Sequence, residues 1–94
     1  MPGVPDVMVC DSVGSFHLIE LKVVTGYKVN LSPHQISFAQ NHSHASVWLL
    51  VWKNREYYLY PAAEVIDVAD RGLHCIPLIK SEDIEPVLEL ISTH

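Results

Sequence analysis

The sequence predicts an α/β fold, a mixed central sheet flanked by helices, and three observations predict it. Residues 16–24 are an apolar run with aromatic and β-branched members, which suits a strand. The segment Ser32-Pro33-His34-Gln35 carries the punctuation of a helix start. Residues 45–52 are almost continuously apolar, as in a strand buried on both faces, and a strand reached through a helix is commonly parallel to the one before it. With 94 residues, 49% of them apolar, the chain can build one core, so residues 1–94 read as a single domain. A chain of this size buries only roughly 60–65% of its unfolded surface and is helped by oligomerisation.

Taken in order, residues 7–10 read as a strand, 11–15 as a turn containing Gly14, 16–24 as the second strand and 26–30 as a loop. The first helix should begin at Pro33 with Ser32 as its cap. Gln35 three residues after the cap completes a capping box, Leu31 and Ile36 have the spacing of a hydrophobic staple, and the helix should run to about His42. After the 45–52 strand, residues 53–56 form a polar turn and 57–60 pair back as a neighbouring strand. Tyr57, Tyr58 and Tyr60 suit packing at a sheet edge better than stacking on exposed bases. Pro61 opens a short helical stretch in which Ala62, Val65, Ile66 and Ala69 share an apolar face and Gly72 ends it. Residues 74–79 can form another strand. Proline is tolerated only in the first turn of a helix, so Pro86 favours Asp83 over Ser81 as cap of the last helix, whose buried side is Val87, Leu88, Leu90 and Ile91. Cys10 and Cys75 lie in apolar contexts without paired spacing and read as buried free thiols.

The chemistry concentrates in Pro5-Asp6 and Glu20-Leu21-Lys22. A strand alternates its side chains between faces, so Glu20 and Lys22 point the same way, roughly 7 Å apart at their bases, while Ile19 and Leu21 point to the other side. Magnesium takes oxygen ligands and is usually held by one or two carboxylates with waters and a substrate phosphate. Asp6 and Glu20 could be that pair, with Lys22 beside them to position a water or offset charge at a phosphodiester. An acid-any-lysine triplet also recurs in unrelated chains, and alternating charge on a strand can mark only a solvated face.

The three blocks Gly3-Val4-Pro5-Asp6, Glu20-Leu21-Lys22 and Leu31-Ser32-Pro33-His34-Gln35, in that order and spacing, resemble the PD-(D/E)xK nuclease superfamily and within it the small stand-alone, viral-type VRR-NUC domains. The resemblance covers about residues 3 to 52. It implies a minimal restriction-endonuclease-like core in which Asp6 and Glu20 bind a divalent metal, Leu21 lends its backbone carbonyl, Lys22 serves the attacking water and Gln35 supports the site. Gln35 fits a plain cap as well as it fits that role. The implied activity is Mg²⁺-dependent hydrolysis of DNA phosphodiesters, with Mn²⁺ a possible substitute, branched DNA such as Holliday junctions as the leading substrate, and a homodimer as the acting species. Family members begin with a glutamate-bearing helix and a strand ahead of the Gly-Val-Pro-Asp segment. This sequence starts at that segment, so the stretch 84–91, or a second subunit, is expected to cover what that helix covers. A catalytically silent interaction module, or a subunit needing a replication or repair partner, is the alternative.

Net charge is −5, with 11 acids against 6 bases, which opposes nucleic-acid binding because phosphate contacts come from lysine and arginine. Its distribution softens the objection. Glu82, Asp83, Glu85 and Glu89 fall in the acidic C-terminal stretch, and the remainder is nearly balanced. Tyr27 and Lys28 are candidates for backbone contact in a loop, where an exposed residue without a partner is an equal expectation. His42 and His44 suggest zinc, yet without further paired ligands solvated histidines near a helix end are the simpler account. With no long apolar run and no leader, the expectation is a soluble, intracellular protein, in the cytoplasm of a bacterial host if virus-encoded.

Overall fold

The period-two alternation of β2 (Phe16–Val23) sets up the molecule, because it sends Leu18 into one hydrophobic core and Ile19 into another. In the computed structural model, residues 7–10, 14, 16–41 and 47–93 are described, without the side chains of residues 7–9. Five strands form one mixed sheet in sequence order. β1 (Val7–Cys10) runs antiparallel to β2, with Val7 opposite Ile19 and Cys10 opposite Phe16. Helix α1 (Pro33–Asn41) then carries the chain over to β3 (Val47–Lys53), which is parallel to β2, as a strand reached through a helix should be. β4 (Glu56–Pro61) returns antiparallel through a two-residue turn, and β5 (Ile79–Ser81) closes the far edge, antiparallel to β4. At that turn Asn54 and Arg55 both have positive φ, 49° and 66°, the backbone that matches the twist of a tight hairpin.

Each face of the sheet has its own core. On one, Val47, Leu49 and Val51 of β3 and Tyr58 and Tyr60 of β4 meet Ala39 of α1 and Val65 and Val68 of α2 (Val65–Arg71). On the other, Ile19, Trp48, Leu50 and Leu59 are covered by Val87 and Ile91 of α3 (Ile84–Thr93). The expectation that the stretch 84–91 covers a sheet face is met. Helix α3 starts directly after Asp83, with Pro86 in its first turn, and the Ser81 hydroxyl accepts the Asp83 N–H at 3.1 Å.

Several expectations need correction. β4 is flanked by β3 and β5, so its tyrosines are core and not edge residues: Tyr58 and Tyr60 are buried, and the Tyr60 hydroxyl donates to the Cys75 carbonyl at 2.9 Å. The stretch after Pro61 opens as a 3-10 turn, Ala62–Glu64, whose three-residue period places Ala62, Val65 and Val68 in one row. Val68 is therefore buried where Ile66, half-exposed, was expected. The last strand is shorter and later than residues 74–79. Gly72–His74 form a second 3-10 turn, and Pro77, which has no N–H to give a ladder, precedes the strand. Cys75 is buried as expected, whereas Cys10 is exposed.

Candidate active site

Alternation along β2 places Glu20 and Lys22 on the α1 side of the sheet, with Glu20 in register with Leu49 and Lys22 with Val51 of β3. Both are half-buried, and the intervening Leu21 is exposed. The arrangement expected from the sequence, a charged pair on a strand anchored by apolar side chains, is what β2 presents.

The start of α1 brings in the third residue. The Gln35 N–H donates to Ser32 Oγ at 3.1 Å, and the Ser32 N–H donates to Gln35 Oε1 at 2.9 Å, a reciprocal capping box. The Ile36 N–H donates to the Ser32 carbonyl at 3.0 Å, which begins the helical ladder, and Leu31 and Ile36 both pack on the core at the staple positions. Gln35 thereby stands at the open end of the crossover, above the β2–β3 pair. There Glu20 and Gln35 line one small recess of about 20 Å³, closed by Leu31, Phe38, Ala39 and Leu49. Residues from β2 and α1 that are distant in sequence are thus brought to one place, with apolar walls around a carboxylate and an amide.

Asp6 lies outside the described residues, as do His42 and His44. Val7, its neighbour in sequence, pairs with Ile19, the neighbour of Glu20. Among the described residues no three His, Cys, Asp or Glu side chains gather, and a set of two carboxylates and a backbone carbonyl would contain only two such side chains. The donors on hand, the Glu20 carboxylate and the carbonyls of β2, are hard oxygen ligands, which fit Mg²⁺ or Mn²⁺ better than a soft, sulfur-seeking metal.

At the C-terminal end of the β2–β3 pair, Tyr27 departs from both expectations held for it. Its ring stacks on His74, centroids 4.9 Å apart and planes 19° from parallel, and the Lys53 ammonium sits 3.6 Å from the ring centroid. The Tyr27 carbonyl accepts the Leu73 N–H at 2.8 Å. Lys28 is exposed. Lys53 is the residue the sequence reading missed, and a signal was available: it continues the odd-numbered row Val47, Leu49, Val51 that faces the core. Elsewhere, burial pushes the Tyr60 hydroxyl up to about 12, helped by Cys75 and Tyr58, and burial pushes the Cys75 thiol up as well. Lys80, 3.7 Å from Glu56, is raised by that carboxylate.

Comparison of the chain with protein-family models, with curated proteins and with solved structures gives no match. No helix among the described residues is long and apolar enough to cross a membrane.

Proposed function

We propose that this chain is a metal-dependent DNA endonuclease of the PD-(D/E)xK type, resembling VRR-NUC domains. The observation that carries the reading is the shared recess of Glu20 and Gln35, with Lys22 on the same face of β2. Two motifs that sequence spacing alone links to one chemistry converge across an element crossing. The strand order supports it too, since an antiparallel pair leading through a helix to a parallel strand keeps the Glu20-Leu21-Lys22 segment inside the sheet.

Asp6, Glu20 and the Leu21 carbonyl would hold the divalent ion, which when bound supplies Lewis acidity and a water of lowered pKa. Lys22 keeps a positive charge beside Glu20 and offsets the negative charge that grows on a phosphate under attack. Gln35 brings an amide to the same recess. A volume of about 20 Å³ admits a water-sized species and no base or sugar. Nucleotides would then lie outside it, recognised by backbone and shape, which suits structure-selective cleavage. Branched DNA such as a Holliday junction is the proposed substrate and a homodimer the proposed acting form, because two symmetric sites match two symmetric strands.

The test is cleavage of branched, duplex and single-stranded DNA by the purified protein with Mg²⁺, Mn²⁺ or chelator, alongside light scattering. Chelator-sensitive cleavage, strongest on branched DNA, is expected. Cleavage indifferent to chelator would overturn the metal, and binding without cleavage would favour the interaction-module reading.

A further inference from the structure

The capping box does more than start a helix. A backbone N–H can donate only to an acceptor, so the 2.9 Å bond from the Ser32 N–H must end on the oxygen of the Gln35 amide. That bond fixes which branch of the amide is spent. The other branch, Nε2 with its two donors, has no protein partner among the described residues, and the side chain lines the recess it shares with Glu20. We infer that the Ser32 backbone locks Gln35 as a hydrogen-bond donor to whatever occupies the recess, so that Gln35 is a positioning residue for a water or substrate oxygen between it and Glu20.

The chemistry is complementary. A water in the recess can accept from Gln35 Nε2 while it donates to the Glu20 carboxylate, which orients its lone pairs. An amide free to rotate would present its oxygen half the time and turn that water around. The lock explains how one glutamine is both cap and site residue, and it separates the two jobs by atom: Oε1 caps, Nε2 positions. The inference rests on the nuclease reading only for what the water does, and not for the geometry.

Two substitutions divide the roles. Gln35→Glu keeps an acceptor for the Ser32 N–H and replaces the donor branch with a second acceptor. It should hold the melting temperature within about 2 °C, since a retained cap leaves well under 1 kcal/mol to lose, while cleavage falls on the order of a hundredfold, as for loss of one oriented donor. Ser32→Ala removes the hydroxyl and leaves the backbone N–H, so it should lower the melting temperature yet spare cleavage. The direct readout is the side-chain NH₂ signal pair of Gln35 in a ¹⁵N–¹H correlation spectrum. That pair should move when Glu20→Gln is introduced and stay in place in Ser32→Ala. An unmoved pair in Glu20→Gln, or wild-type cleavage by Gln35→Glu, would overturn the inference. Should the wild type cleave no DNA, the nuclease reading fails while the amide signals still decide the geometry.

Discussion

The Lys53 ammonium lies 3.6 Å from the centre of the Tyr27 ring, although Lys53 belongs to a core strand and is only 8% exposed. A buried charge is costly unless something compensates it, and among the described residues Lys53 forms no ion pair. The ring face supplies the compensation, about 2 kcal/mol for a desolvated cation–π contact. Tyr27→Leu should therefore destabilise the fold by about 2 kcal/mol in urea denaturation. In a Lys53→Met background the same change should cost much less, and additive losses would show the contact to be energetically idle.

The site assignment makes a separate demand on three side chains. Asp6→Ala, Glu20→Ala and Lys22→Ala should each remove most cleavage, on the order of a hundredfold or more. Glu20 and Lys22 are half-buried on a strand whose anchoring residues are Leu18 and Ile19, so neither change should shift the thermal melt by more than a few degrees. Wild-type activity in all three would remove the assignment.

Tyr60 gives the fold an alkaline limit. Its hydroxyl, pushed up to about 12 mainly by burial, stays protonated in the folded chain after it has begun to ionise near 10 in the unfolded one. The unfolded state then binds fewer protons, so stability falls as pH rises from about 10 to about 12 and is unaffected by this group below that window. Tyr60→Phe should flatten this decline while lowering stability at neutral pH through loss of the bond to the Cys75 carbonyl. A decline equally steep in Tyr60→Phe would assign it to other groups.

Deleting residues 83–94 should uncover Ile19, Trp48, Leu50 and Leu59. An apolar face of that kind drives association in a soluble monomer. Light scattering of the truncated chain should report aggregation, and a stable, active monomer would mean that α3 is dispensable cover.

Local rules made much of this readable. Ser32, Pro33 and Gln35 announce the helix because capping depends on atoms within three residues, and the hairpin at 54–55 follows from polar residues between two apolar runs. The Glu20–Lys22 face is likewise a matter of strand parity. What escaped depended on contacts across the chain. Tyr27 meets Lys53 and His74 only because three separate segments end together, and Ile66 is exposed because a 3-10 turn resets the helical phase by one residue. The edge position assigned to Tyr57–60 failed for the same reason: three residues of β5 suffice to make β4 internal, and so short a strand leaves little periodic signal. The recess joining Glu20 to Gln35 was legible as two motifs and not as a volume.

Because strand order equals sequence order, a ribosome would build this sheet from one edge to the other, each strand pairing with the one just made. Neighbouring segments need close only short loops, which favours rapid assembly. Helix α3 comes after every strand it covers. During synthesis the Trp48 and Leu50 side of the sheet therefore has its strands before it has its lid, and the growing chain passes through a stage in which a finished hydrophobic surface awaits the last residues of translation.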